Sequence, residues 1–250
     1  RGDLVHSRAR VRNPMDQSCD AGPVTDIDRV TSLLDRPVYS HADVDRHLGL
    51  HAGTARRWLN GYRRGGRHYS PVLRDEPITR DVVTWGEFVE TRLLSEFRDK
   101  GATVQHMRPA VVRLRAEFGQ YPLALARPFL DVAGRELVRR IQDEVDMPPE
   151  LRFVVVRSGQ GQISTAVGRF VEAVEFEGES AVRVRPGGPG SLVVVDPLRQ
   201  AGRPVVRSVP TDVVLEQFNA GVSVAEIADL WELSTREVES ALRFELRHAG

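Results

Sequence analysis

An arginine-rich stretch without acidic residues offers the clearest chemistry in the sequence. It runs from Arg46 to Arg74 and contains seven arginines. A guanidinium group can fork onto guanine edges or phosphate oxygens, and an asparagine amide can pair with adenine. The stretch therefore favours nucleic-acid binding. The alternative is a solvated helix face beside a charged loop.

The spacing of apolar residues within this stretch predicts a helix-turn-helix around Gly49. Such a unit keeps apolar side chains at fixed offsets, because its two helices pack across a tight turn. Asp45 departs from the pattern, since it replaces the small residue usually found four positions before the turn glycine. The outer side of the second helix and the flexible basic loop after it supply the candidate DNA-binding residues. These are Arg56, Arg57, Asn60, Tyr62, Arg63, Arg64 and Arg67.

A second helix-turn-helix spacing lies in the last forty residues, where the charge is reversed. Residues 211–250 contain three arginines and eight acidic residues. Glutamates on the second helix of this unit would be repelled by phosphates. We therefore expect this module to contact protein and not DNA. Trp58 and Trp231 occupy apolar helical positions and are predicted to be core anchors.

The sequence predicts neither a catalytic site nor a metal site among the other reactive side chains. The histidines near the basic stretch lie among arginines without carboxylates. Residues 158–163 hold two glycines but lack the lysine of a P-loop, so a turn leading into a helix is expected there. Cys19 is the single cysteine, which excludes an internal disulfide. We predict no catalytic residue, no bound metal and no cofactor, and a protein that is not an enzyme.

The elements that position these residues are expected to form an α+β, predominantly helical fold. A helix should begin at Thr84, where Glu87 completes a capping box, and another should span 104–118. Further helices are expected at 43–48, 54–60, 163–171, 211–220, 223–231 and 234–248. Extended pieces are expected within 128–141 and at 153–156, 174–176, 181–184 and 192–195.

Changes in composition divide the 250 residues into four predicted segments. Residues 1–25 are expected to be a mobile arm, and 26–126 a helical domain that contains the candidate DNA-binding residues. Residues 127–190 should form a small central α+β region, and 191–250 a C-terminal helix-turn-helix-like module. No apolar run is long enough to cross a bilayer, and no export leader is visible, so a cytoplasmic protein is expected.

The motifs at both ends resemble known families. Tyr39-Ser-His-Ala-Asp-Val-Asp-Arg-His-Leu-Gly-Leu50, with 54–59 and the basic loop, resembles the opening of a MerR-type winged helix-turn-helix. Val195-Asp-Pro, the Gly202-Arg-Pro-Val-Val-Arg207 strand and the helical unit 213–242 resemble the C-terminal module of VapB-type antitoxins. One departure is 205–210, where those antitoxins more often have a glycine-threonine-arginine turn.

The resemblance implies an antitoxin that neutralises a PIN-domain ribonuclease toxin and autoregulates by binding promoter DNA as a homodimer. A PIN nuclease concentrates carboxylates around its metal ions, so an inhibitor can place an arginine there or cover the cleft by surface contact. The arginines assigned to the toxin are Arg199, Arg203 and Arg207. Their alternative role is that of solvated residues at a strand edge.

Two other functions remain open at this point. One is a free-standing MerR-like transcription regulator, whose middle or C-terminal region senses a ligand or mediates dimerisation. The other is an oligomerisation adaptor that makes no DNA contact. Salt-dependent DNA binding would distinguish the antitoxin and the free-standing regulator from the adaptor.

Overall fold

A computed structural model describes residues 33–98, 103–157 and 160–247. The predicted arm 1–25, including Cys19, lies outside the described residues. Within those ranges, helices predominate over short strands, which confirms the α+β class.

The helices of the described ranges are mostly short. The α-helices are α1 (His41–Leu48), α2 (Thr54–Asn60), α3 (Trp85–Arg98), α4 (Arg108–Phe118), α5 (Arg127–Leu130), α6 (Val132–Glu144), α7 (Thr165–Ala173), α8 (Thr211–Asn219), α9 (Val224–Trp231) and α10 (Thr235–Leu246). Single 3₁₀ turns occur at Val104–Met107, Pro122–Ala124, Pro149–Leu151 and Gln200–Gly202.

The strands form small antiparallel sheets. They are β1 (Pro37–Tyr39), β2 (Tyr62–Arg64), β3 (Arg67–Tyr69), β4 (Val83–Thr84), β5 (Val154–Arg157), β6 (Gln160–Ile163), β7 (Val174–Glu177), β8 (Ser180–Val184), β9 (Val193–Val194), β10 (Val205–Val206) and β11 (Val209–Pro210). Their pairings are β1–β4, β2–β3, β5–β6, β7–β8 and the three-stranded β9–β10–β11.

Helix α3 is the centre of the larger core. Its start matches the predicted capping box, because the backbone N–H of Thr84 donates to Glu87 and that of Glu87 to the Thr84 hydroxyl. The indole Nε1 of Trp85 donates to the carbonyl oxygen of Ala181 at 2.7 Å and so ties the helix to β8. Gly86 is required at its position, since a Cβ there would lie 2.5 Å from the Tyr121 ring.

Two hydrophobic clusters hold the described residues together. The larger one draws side chains from Leu34 to Val195 and includes both helices α1 and α2 and the central strands. The smaller one runs from Val193 to Phe244 and joins β9–β11 to α8–α10. The capping boxes predicted at Ser223 and Ser234 are both present, so the predicted starts of α9 and α10 are confirmed. The boundaries proposed at 126 and 190 stay predictions.

Polar and aromatic contacts join the C-terminal module to the N-terminal helices. The Tyr39 hydroxyl donates to the carbonyl oxygen of Gly202, and burial raises the pKa of that phenol well above its usual range. The rings of His47 and Phe244 stack with their centroids 6.4 Å apart. The end of α1 is therefore in contact with α10.

Several expectations for the central region were wrong. Residues 128–141 are helical in α5 and α6, not extended, because the Asp131 carboxylate accepts from the N–H of Gly134 and starts α6. Residues 160–163 form β6 instead of a turn, and the helix expected from 163 begins only at Thr165. The β-branched run ending in Val156 pairs with β6 as a hairpin.

The two predicted tryptophan anchors differ. Trp58 is buried in the larger core, as expected. The Trp231 side chain is 38% exposed, so its role as a core anchor was wrong. Trp231 is the last residue of α9, where the chain turns away through Glu232 in the left-handed conformation.

Candidate nucleic-acid interface

A tight turn fixes the two N-terminal helices. Ser40 caps α1 through a capping box with Asp43, and Gly49 ends that helix with a φ of 61°, in the left-handed region. The Asp45 carboxylate, which is buried, then accepts hydrogen bonds from the backbone N–H groups of Gly53 at 2.6 Å and Ala55 at 2.7 Å. Asp45 therefore takes over the capping of α2, which Gly53 has no side chain to provide.

Helix α2 buries one side and exposes the other. Ala55 and Trp58 are buried against the larger core, whereas Arg56 and Arg57 are exposed. The Arg57 guanidinium folds back and donates to the Thr54 hydroxyl at 2.8 Å. The two arginines that the spacing placed on the outer side are thus on the surface of the helix.

A two-stranded hairpin follows α2 directly. In its register Tyr62 faces Tyr69, and Arg64 faces Arg67. The turn between the strands is Gly65-Gly66, whose φ angles of 56° and 77° suit a two-residue turn that needs positive φ at both positions. The tyrosine rings stack at 4.6 Å between centroids and brace the base of the hairpin. Arg63, Arg64 and Arg67 are exposed along it.

Asn60 is placed differently from the other candidates. Its Oδ1 accepts from the Arg74 Nη1 at 2.6 Å and from the backbone N–H of Ile78 at 3.1 Å. A bidentate contact with adenine needs that oxygen together with the amide nitrogen. The structure therefore uses Asn60 to hold the end of α2 to the segment that follows the hairpin.

A buried ion pair anchors that segment to α3. Arg74 donates from Nε and Nη2 to the Glu87 carboxylate, at 2.5 and 2.8 Å, and from Nη2 to the Val82 carbonyl oxygen at 2.7 Å. Both side chains are buried. Arg74 thus belongs to the framework of the basic stretch and not to its surface.

An acidic residue adjoins the exposed side of α2. The backbone N–H and the ring of His41 donate to Asp81, which lowers the pKa of that carboxyl, and the charge of Arg56 lowers it further. Asp81 is itself exposed. The site is therefore basic overall, with one carboxylate near its edge.

The arginines assigned to the toxin are on the surface of the C-terminal module with partners of their own. Arg203 donates to both oxygens of Asp212, and Arg199 lies 3.6 Å from Asp196. Arg207 donates to the carbonyl oxygen of Glu232 at 2.9 Å. All three are exposed, but each is directed to a different partner.

The described residues contain no group of three or more His, Cys, Asp or Glu side chains that could hold a metal ion. Among the same residues, no helix has the length and apolar character needed to cross a membrane.

Comparison with known proteins places the chain in a family. No family model matches it. Over 225 residues it is 37% identical to "Uncharacterized protein Rv2308" of Mycobacterium tuberculosis, an alignment that covers 86% of the chain and 92% of that protein. The chain belongs to the family of Rv2308.

Two further relatives extend the comparison. The Mycobacterium tuberculosis protein named "Putative antitoxin VapB45" is 27% identical over 228 residues, covering 84% of the chain and 94% of that protein. The crystal structure of Rv2018 from the same organism matches with a TM-score of 0.70 and 25% identity, over 84% of the chain and 99% of its own. The chain is therefore related to an antitoxin-like protein over most of its length.

In this member of the Rv2308 family, sequence reasoning missed the residues that hold the basic surface in place. Asp45 counted against the helix-turn-helix, yet it caps α2. The signal in the sequence for this capping role was a carboxylate, Asp45, eight to ten residues before the first residues of a helix whose own N-cap position, Gly53, has no side chain. The pairing of Arg74 with Glu87 had no such signal, because it joins two elements through the tertiary fold.

Proposed function

We propose that this chain is an antitoxin that binds promoter DNA through its N-terminal basic surface. We further propose that it binds a PIN-domain ribonuclease toxin through its C-terminal module. The relationship to the protein named as antitoxin VapB45 supports the class of function. The proposed assembly is a homodimer, since helix-turn-helix dimers bind two half-sites.

The observation that carries the DNA-binding proposal is the pairing of Arg64 with Arg67 across the hairpin. Like charges directly opposite each other destabilise a strand pair. An arrangement that costs stability in the free protein becomes favourable when phosphates lie against it. In this proposal α2 is the recognition helix and β2–β3 is the wing of a winged helix-turn-helix, gripping the DNA backbone beside it.

DNA binding can be tested by fluorescence anisotropy with a duplex from upstream of the gene. Two variants, Arg56→Ala/Arg57→Ala and Arg63→Ala/Arg64→Ala/Arg67→Ala, should each bind much more weakly while their melting temperatures stay near that of wild type. The logarithm of the binding constant falls linearly with the logarithm of the salt concentration. For each phosphate contact removed, the slope of this line should become less negative by about 0.9. The matched control is Arg140→Ala/Arg236→Ala, which removes two exposed arginines elsewhere. Equal affinity and slope in all variants would contradict the proposal.

The toxin-binding surface follows from what the C-terminal module exposes. Engaging Arg203 with a toxin carboxylate requires breaking its pair with Asp212. In contrast, three large apolar side chains of α8 and α9 are already exposed: Phe218, Leu230 and Trp231. Of the two routes to inhibition, covering the nuclease by surface contact is therefore the better supported, because exposed aromatic residues commonly anchor protein interfaces.

The test of this surface is inhibition of RNA cleavage by the product of the adjacent gene. Leu230→Ala/Trp231→Ala in the full chain should lose co-purification and inhibition. Leu198→Ala, which removes another exposed leucine outside these helices, should retain both. Arg199→Ala/Arg203→Ala/Arg207→Ala tests the alternative route. If only the arginine variant loses inhibition, the toxin contacts the arginines and the proposed apolar surface is wrong.

A further inference from the structure

A basic cleft lies where the N-terminal helices meet the C-terminal module. It has a volume of about 380 Å³ and is lined by the ends of α1 and α10, the second half of α3, part of α7 and the glycine-rich loop 186–188. Its described lining holds four arginines and one carboxylate, a formal charge of +3, in a chain whose net charge is zero. The arginines are Arg92, Arg98, Arg169 and Arg247.

The single carboxylate of the cleft is shared between two of these arginines. Glu96 accepts from Arg92 Nη2 at 2.5 Å and lies 3.2 Å from Arg169 Nε. The Arg92 side chain is only 5% exposed, and its Nη1 also donates to the Ser95 hydroxyl at 3.1 Å. One carboxylate therefore faces two guanidinium groups, and an anion in the cleft would balance the remaining positive charge.

Gly187 and Gly188 form one wall of the cleft. A Cβ at Gly187 would lie 2.8 Å from the Ser191 Oγ, so a larger residue there would require the Ser191 side chain to move. Gly188 has a φ of 96°, and a Cβ there would meet open space. A smaller hollow of about 140 Å³ adjoins the cleft and adds the hydroxyls of Ser191 and Ser240.

We propose that this cleft binds a phosphate-bearing small molecule of about nucleotide size. Guanidinium groups from α3, from α7 and from the residue after α10 line it, which suits a phosphate with several acceptor oxygens better than a carboxylate with two. The volume lies in the range of small-molecule sites and exceeds what inorganic phosphate would fill. The proposal goes beyond DNA and toxin binding and does not depend on either.

The direct test is calorimetric titration of the full chain with pyrophosphate, AMP and ATP at about 0.15 M salt. Saturable binding at submillimolar concentrations by at least one nucleotide is expected, together with a rise in melting temperature. Arg169→Ala/Arg247→Ala should weaken that binding by about tenfold or more for each arginine removed. Both residues are exposed, so this variant should fold, which its melting temperature without ligand checks. Arg140→Ala/Arg236→Ala should bind like wild type.

Three outcomes would overturn the proposal. The first is the absence of saturable binding by any of the three probes at millimolar concentration. The second is unchanged nucleotide binding in Arg169→Ala/Arg247→Ala, which would place the ligand elsewhere. The third is binding of a single-stranded oligonucleotide through the same arginines without saturation by mononucleotides, which would make the cleft part of a nucleic-acid path.

Discussion

Replacing Asp45 with alanine should destabilise the turn between α1 and α2. The carboxylate caps α2 through Ala55 and holds the turn through Gly53. Losing a helix cap costs about 1 kcal/mol, and losing a second, charge-assisted hydrogen bond costs about 2 kcal/mol. The free energy of unfolding should therefore fall by about 3 kcal/mol. For a chain of this size that corresponds to a melting temperature lower by about 6–12 °C.

Urea unfolding followed by circular dichroism measures this loss. Asp45→Asn keeps one acceptor oxygen and should lose about half as much stability. Asp43→Ala is the matched control, because it removes a carboxylate from the cap of α1 and should cost about 1 kcal/mol. If Asp45→Ala is no less stable than Asp43→Ala, the capping role assigned to Asp45 is wrong.

Three other changes test the framework. Burial raises the pKa of Glu90 to about 8. Its contribution to the free energy of unfolding is therefore greatest below pH 4.5 and is lost as the pH rises through 8. Each unit by which the pKa is raised corresponds to about 1.4 kcal/mol of this free energy. Glu90→Gln should remove this decline. If the urea midpoint of the variant falls between pH 5 and 9 as much as that of the wild type, the role of Glu90 is wrong. Arg74→Ala should cost about 3–5 kcal/mol because Glu87 stays buried without its partner, and Arg74→Met/Glu87→Leu should recover part of the loss in the same assay. Trp58→Ala should cost about 3–5 kcal/mol, whereas Trp231→Ala, at an exposed site, should cost less than about 1 kcal/mol; equal losses would mean that the exposure of Trp231 is wrong.

The helices that the sequence predicts correctly are those specified by local signals. Helix α3 has a capping box at Thr84 and an apolar side whose residues are all fully buried. Helices α9 and α10 begin at the predicted serines for the same reason. Capping and helical periodicity act between residues three or four positions apart, so they can be read without knowledge of the fold.

The misread segment 128–141 shows where local signals fail. Gly134 lies inside α6, within the segment that the sequence predicts to be extended. A Cβ at this position would come within 2.0 Å of the carbonyl oxygen of Arg127 in α5. The glycine is therefore needed for close packing of two helices and not for a reversal of the chain. A turn glycine and a packing glycine look identical in a single sequence.

The candidate DNA contacts were only partly predictable for a related reason. Periodicity gives the direction of Arg56 and Arg57, but it cannot show that Asn60 is used by Arg74 and the backbone of Ile78. With that amide engaged, the exposed polar groups of α2 and the hairpin are mainly guanidinium groups. Arginine contacts to phosphate give affinity without sequence information. In the proposed DNA complex, base recognition would then fall on Arg56 and Arg57, the exposed arginines of α2, while the arginines of the hairpin would contact the DNA backbone.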